Sequence, residues 1–188
     1  MLAGPNGAGK STFYELYLAS SQLPFLNADA FAARTEVDSE QAARILDGIR
    51  DDMIQKRLGF ITETVFSDPM GAKLGMLQKA IAFGYDVTLI YVGLTSPELS
   101  GLRIDQRVAA GGHDVPRDRL ASRFERSLAN LRAAIALVPT VKVYDNSDPE
   151  RPFQRVAVFE RGELAWRAKR LPAWLKPVVA AVKLSPTR

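Results

Sequence analysis

The chain has 188 residues, 47% of them hydrophobic, enough to bury one sizeable core and fitting one domain. It contains no cysteine, which excludes disulfides and thiolate metal sites, and no run of about 18 apolar residues that could span a membrane. The formal net charge is +4, and basic residues recur late, at Arg161, Arg167, Lys169, Arg170, Lys176 and Lys183, as a solvated face more than as a polyanion site, so a nucleic-acid partner is not expected. A phosphate-loop pattern stands where a signal peptide would be, and together these features predict a soluble cytoplasmic protein with no membrane partner.

In chain order, the first element is a short buried strand, Met1-Leu2-Ala3, below the usual five or six residues. Either part of the natural N-terminus is missing or the central strand is unusually short. Residues Gly4 to Ser11 then read GPNGAGKS, a complete G-x-x-x-x-G-K-[ST] loop running into the helix-like stretch TFYELYLASS. Its glycines allow a tight turn, so the amides of Asn6 through Ser11 can converge on phosphate oxygens at a helix N-terminus. A nucleoside triphosphate is the expected ligand, cradled by Gly4, Pro5, Asn6, Gly7, Ala8, Gly9, Lys10, Ser11 and Thr12. Lys10 reaches the β/γ-phosphates, and the Ser11 hydroxyl ligates Mg²⁺.

Beyond the loop, short β-like runs at Phe25–Asn27, Phe60–Thr62, Val87–Val92 and Val141–Tyr144 alternate with helical segments at Glu40–Leu58 and Pro69–Phe83. That alternation predicts an α/β fold, a parallel sheet flanked by helices. Residues 96–137 read as two helices around Gly111-Gly112-His113-Asp114-Val115-Pro116, an arrangement suited to a helical lid, with His113 serving the turn. Phe153 to Ala168 reads as a β-hairpin about Arg161-Gly162 at the sheet edge, and Pro172 to Arg188 as a short helix and tail. The whole is expected to be one P-loop kinase-like domain, residues 1–188, with a lid over about 96–137 and a C-terminal extension over about 150–188.

Open α/β sheets bind ligands beyond the carboxyl ends of their strands. Three such ends carry polar groups. Asp29, just past the second strand, can take a proton from a substrate hydroxyl, or can cap the following helix. Glu63 and Thr64 end the third strand; they face substrate or hydrated Mg²⁺, or else Thr64 or Ser67 caps the next helix. Asp145 and Asn146 with Ser147 either form an Asx turn or contact the adenine edge or ribose. Arginines gather at 103, 107, 117, 119, 123, 126 and 132. Arg119, Arg123 and Arg126 share a helix face, with Arg107 one helix earlier, so a guanidinium from each side could neutralise charge during phosphoryl transfer. The run LSGLRIDQRVA (Leu99 to Ala109) looks like the signature of ABC-transporter ATPases, but its second glycine is Leu102 and no apolar strand ending in Asp-Glu follows.

The loop, the Asp after the second strand, the Glu-Thr strand tip and the arginine-flanked GGHDVP, in this order over roughly Met1 to Asp148, resemble the zeta-toxin family of P-loop kinases, in particular the bacterial branch often labelled "predicted ABC-type ATPase". The resemblance implies a P-loop kinase fold that uses ATP and Mg²⁺ to phosphorylate the 3′-hydroxyl of UDP-N-acetylglucosamine or a related nucleotide sugar, with a small helical antitoxin as a partner. It implies Asp29 as catalytic base, Lys10 and Ser11 as ATP–Mg²⁺ residues, Glu63 and Thr64 as sugar-nucleotide contacts, and Arg107 and Arg123 as the phosphate clamp, with Arg119 or Arg126 as the alternative second arginine. The rival readings are a polynucleotide kinase, which needs a basic channel, and an interaction module that binds ATP without transferring it.

Overall fold

The computed structural model describes residues 1–35, 37–109 and 117–182. The Gly111–Pro116 hinge with His113, and the tail from Lys183, lie outside the described residues.

The strands are β1 (Leu2–Ala3), β2 (Phe25–Leu26), β3 (Ile61–Thr64), β4 (Thr88–Gly93), β5 (Thr140–Asp145), β6 (Gln154–Glu160) and β7 (Glu163–Arg167). They form one sheet in the order β2-β3-β1-β4-β5-β6-β7. Pairing is parallel from β2 to β5 and antiparallel through β6 and β7, so the expected edge hairpin is present. The helices are α1 (Lys10–Tyr17), α2 (Ala28–Thr35), α3 (Ser39–Gln55), α4 (Ala72–Ala82), α5 (Pro97–Ala109), α6 (Leu120–Leu137) and α7 (Lys176–Ala180). Among the described residues, no helix is long and apolar enough to cross a membrane.

Strand β1 is as short as its sequence suggests, yet it occupies the middle of the parallel sheet. Leu2 lies opposite Glu63 on one side and Ile90 on the other, and both Leu2 and Ala3 are fully buried. The Met1 backbone nitrogen continues the ladder by donating to the Thr88 carbonyl at 2.7 Å. Strand β4 shows the two-residue period that divides the core between two faces. Leu89 and Tyr91 join the cluster built with α4, α6 and β5, while Val92 joins Leu2, Ala8, Phe13 and Phe153 around α1.

Helix α6 is a core element over much of its length. Leu131, Ala134 and Ile135 are essentially fully buried, and burial of Leu131 and of Ile135 is each favourable by about 1.5–3 kcal/mol. The part of the 96–137 segment from Leu131 onward is therefore fixed to the sheet. Downstream of the hairpin, Trp174, Leu175 and Val178 pack onto the same core, and the Trp174 indole N–H donates to Asp145 at 3.1 Å.

Candidate active site

Because β1, β3, β4 and β5 run parallel, their carboxyl ends open on one edge of the sheet, and the phosphate loop leaves β1 there. Two glycines show why the loop tolerates little else. Gly4 has φ +145°, and a Cβ on it would run into the Val92 carbonyl oxygen. Gly9 has φ +85°, and a Cβ on it would come within 2.7 Å of Asn146 Nδ2. Gly9 also begins α1 with no side-chain cap, so the first amides of that helix point at the loop's concavity as donors for an anion.

Asn146 holds the loop from beneath. Its Nδ2 donates to the Ala8 carbonyl at 2.9 Å, its Oδ1 accepts from the Phe153 amide at 3.2 Å, and its own amide donates to Gly93. Asp145 accepts from Ser147 and Trp174. Both side chains expected at the adenine or ribose are thus engaged within the protein, and neither lines the cavity described next. From the other side, Ser100 Oγ on α5 donates to the Asn6 carbonyl at 2.5 Å, which seats that helix against the loop.

A cavity of about 570 Å³ opens beside the loop. It brings together Lys10, Ser11, Asp29, Glu63, Thr64, Arg107 and Arg123 of the residues expected from sequence. Arg126 also lines it, whereas Arg119 is exposed and does not. Arg103, with Arg107, stands at the loop's mouth, and its Cβ would be 3.3 Å from a Cβ on Gly7.

Glu63 organises the loop end. Its Oε2 accepts from Asn27 Nδ2 at 2.7 Å and from Ser11 Oγ at 3.1 Å, while Oε1 lies 3.7 Å from Lys10 Nζ. Lys10 is buried and also donates to the Pro5 carbonyl at 3.2 Å. Burial lowers its pKa, the carboxylates of Glu63 and Asp29 oppose that shift, and Arg107 adds to it. Ser11 Oγ and the Glu63 carboxylate together present only hard oxygen donors next to the phosphate loop, a set that suits Mg²⁺ completed by phosphate and water. Among the described residues no cluster of three or more His, Cys, Asp or Glu could hold a metal ion.

The capping alternative at Asp29 is resolved by its neighbour. Asn27 Oδ1 accepts from the Ala30 amide at 3.0 Å and caps α2, so Asp29, in the first turn, is left with its carboxylate on the cavity. Thr64 does not cap α4, which begins after Gly71; its hydroxyl accepts from the Phe66 amide at 3.1 Å and braces a turn in which Phe66 has φ +60°. That turn, residues 65–68, is tied to α6. Ser127 Oγ donates to Val65, Arg126 Nε to Ser67 at 2.8 Å, and Asn130 Nδ2 to Phe66 and Asp68.

Sequence reasoning missed Asn27, Arg50, Asp68 and Lys73, all of which line the cavity, and also Ser100, Ser127 and Asn130, which brace it. For Asn27 the signal was present, since an Asn directly before an acidic first helical turn is a cap pattern.

The family model for zeta toxin matches residues 27–156, more than half of the chain. An uncharacterized protein of Haemophilus influenzae is 27% identical over 126 residues, covering 64% of this chain and 88% of that protein. Among solved structures, the fold is similar to one from the PezAT chromosomal toxin–antitoxin system of Streptococcus pneumoniae, with a TM-score of 0.62 and 18% identity over 84% of this chain and 69% of the other. It is also similar to AvrRxo1-ORF1:-ORF2 with ATP, with a TM-score of 0.67 and 14% identity over 87% of this chain and 58% of that one.

Proposed function

The chain belongs to the zeta-toxin family of kinase-type phosphotransferases, and from that premise we propose that it transfers the γ-phosphoryl group of ATP to a hydroxyl of a small acceptor, a nucleotide sugar such as UDP-N-acetylglucosamine. The observation that carries the proposal is the uncapped, cavity-facing carboxylate of Asp29 in the same cavity as Lys10 and Ser11 of the phosphate loop. In this reading the loop amides and Lys10 hold the β- and γ-phosphates. Asp29 orients the acceptor hydroxyl and takes its proton as the oxygen attacks phosphorus, the bond to the β–γ bridging oxygen breaks, and ADP leaves. Arg107 on α5 and Arg123 on α6 neutralise the equatorial oxygens; Arg126 is held on the Ser67 carbonyl and positions the 65–68 turn instead. Bound Mg²⁺, held through Ser11 with Glu63 behind it, would supply charge neutralisation at the phosphates. Glu63 is thereby assigned to the loop end, and Thr64 to shaping the acceptor wall. A small helical antitoxin is the proposed protein partner, and the cytoplasm the proposed location.

The test is a phosphotransfer screen with radiolabelled ATP against nucleotide sugars, free sugars and oligonucleotides, run with wild type and Asp29→Asn. Label is expected on a nucleotide sugar, and Asp29→Asn is expected to lower kcat by about a hundredfold or more with ATP affinity nearly unchanged. ATP binding without product on any acceptor would favour a non-catalytic module, label confined to oligonucleotides a polynucleotide kinase. Activity of the Asn variant within about threefold of wild type removes Asp29 from the chemistry.

A further inference from the structure

Helix α5 crosses the phosphate loop with one stripe of its surface. Ser100, Arg103 and Arg107 recur at i, i+3 and i+7, so they share a face. Ser100 anchors that face by donating to the Asn6 carbonyl at 2.5 Å. The approach is close: a Cβ on Gly7 would fall 2.8 Å from the Ser100 carbonyl oxygen and 3.3 Å from Arg103 Cβ. Arg107 lines both the main cavity and the loop's mouth, whereas Arg103 lines the mouth alone. Arg103 therefore stands about 6 Å back along the helix axis from the arginine that reaches the cavity.

Arg103 is half-buried, and among the described residues no hydrogen bond or ion pair takes its guanidinium. Asp145, at the carboxyl end of β5, acts on it as a counter-charge: burial lowers the arginine's pKa and this carboxylate opposes the shift. Asp145 is itself held in place. Its Oδ1 accepts from Ser147 Oγ at 2.6 Å and from the Trp174 indole at 3.1 Å, which leaves Oδ2 outside both bonds. Trp174 comes from the segment after the hairpin, beyond the residues that the family model matches, and a Cβ on Gly93 of β4 would run into its ring. A guanidinium and a carboxylate fixed from separate elements, in electrostatic reach but not bonded to each other, leave a gap between the loop's mouth and the tip of β5. On the proposed function the γ-phosphate faces the cavity and Asp29, so the nucleoside leaves on this other flank. The loop amides and Lys10 already serve the phosphates. What Arg103 adds is a flat, weakly hydrated face, the kind of surface on which an aromatic ring stacks.

We propose that Arg103 stacks its guanidinium on the base of the bound nucleotide, with Asp145 as its counter-charge and Trp174 as the residue that fixes Asp145. A two-ring purine covers more of that face than a one-ring pyrimidine, so the donor is selected as a purine nucleoside triphosphate. This inference rests on the phosphotransferase reading for the identity of the ligand, but the stack is a matter of binding and is independent of transfer. Arg103 thus differs in kind from Arg107 and Arg123. A stack on the base is the same in the bound complex and the transition state, so it serves affinity and not rate.

Calorimetry in the presence of Mg²⁺ tests it with three probes: ATP, CTP and inorganic tripolyphosphate. Wild type should bind ATP at least about threefold more tightly than CTP, the larger ring stacking better. Arg103→Ala should weaken ATP about tenfold, CTP less, and tripolyphosphate by less than about twofold, with the melting temperature maintained because no bonded partner is lost. Arg103→Lys keeps the charge and loses the plane, so it should stay weak for ATP; it carries the test should the Ala variant fail to fold. Trp174→Phe removes the donor to Asp145 and should lower the ATP-over-CTP ratio about twofold, whereas a merely structural tryptophan would weaken all three probes alike and would drop out of the proposal. In turnover, Arg103→Ala should raise KM for ATP about tenfold with kcat within about threefold of wild type. Unchanged ATP affinity in Arg103→Ala overturns the stack. So does a loss of tripolyphosphate equal to that of ATP and restored by Lys, which would make Arg103 a phosphate contact. ATP bound through Arg103 with no product on any acceptor would sink the kinase reading and leave the stack standing. Phosphotransfer by Arg103→Ala with an unchanged KM for ATP would do the reverse.

Discussion

At the phosphate-loop end of the cavity the polar side chains hold one another: Lys10 meets Pro5 and Glu63, Glu63 also takes Ser11 and Asn27, and Asn146 supports the Ala8 carbonyl from below, with Asn6 Oδ1 the exception. At the α3–α4 end Arg50 Nε and Asp68 Oδ1 stay unmet, and the backbone of residues 65–68 hangs on three side chains of α6. A network closed upon itself fixes donor positions before a ligand arrives, which is what phosphoryl transfer asks of the nucleotide site. An open set of donors and acceptors leaves selectivity to whichever molecule completes it, because an analogue lacking the matching group leaves buried polar atoms unpaired. On the proposed function, the loop end holds the invariant nucleotide and the other end discriminates among acceptors.

The largest effect that would break this contrast is expected at Lys10. Lys10→Ala removes the buried cation that Glu63 and Asp29 flank, so turnover should fall by about a thousandfold or more while the circular dichroism spectrum stays native. The pH dependence of the wild type sharpens the point. Burial lowers the Lys10 pKa in the free protein, and a bound triphosphate raises it, so binding favours the protonated form. Nucleotide affinity should be full below the lowered pKa and should decline as pH rises through it, on the acid side of an ordinary lysine titration. Calorimetry in buffers of different ionisation enthalpy should show proton uptake on binding in that window. Unchanged ATP affinity in Lys10→Ala, or a flat alkaline profile, would mean that the network does not organise the nucleotide site.

Asn146→Ala comes next, because it attacks the loop's support from beneath. It leaves the Ala8 carbonyl and the Phe153 amide without their partner, a loss of about 2 kcal/mol, or about 4–8 °C in melting temperature for a chain of this size. ATP affinity should weaken severalfold through the displaced loop, whereas binding of the acceptor at the α3–α4 end should not change. Equal losses at both ends would show that the cavity behaves as one cooperative unit.

Much of the loop end was legible in the sequence because its determinants are local: glycines, lysine and serine at fixed spacing, and apolar runs long enough to read as strands. The hairpin at Arg161-Gly162 was legible for the same reason. What escaped is long-range. Asn146 supports Ala8 from 138 residues away, and nothing in YDNSD distinguishes that role from an Asx turn. Arg50 sits in a helix full of charges, and a lone arginine there reads as solvated surface. Its position four residues after Leu46 and four before Ile54 places it on the buried stripe, a signal that periodicity contains once the apolar face is identified. Helix α6 has two halves that read differently: Arg119 before it and Arg123 and Arg126 within it drew attention to a cover, while the i, i+3, i+4 spacing of Leu131, Ala134 and Ile135 anchors its later turns in the core.

The smallest expected effect is the one that separates the two ends most cleanly. Asn130 Nδ2 donates to the Phe66 carbonyl at 3.0 Å and the Asp68 carbonyl at 3.2 Å, and touches neither the phosphate loop nor Asp29. Asn130→Ala frees both carbonyls at a half-buried position where water can reach them, so stability should fall by only about 1 kcal/mol. The 65–68 turn, which carries Asp68, then loses one of its ties to α6 but keeps those from Arg126 and Ser127. Its looser placement should raise KM for the acceptor by about three- to fivefold and leave KM for ATP unchanged, because a modest misplacement of one wall costs a fraction of what a lost contact does. A rise in KM for ATP instead, or a fall in kcat with both KM values intact, would show that the turn is mechanically coupled to the loop and that the two ends are not separately built.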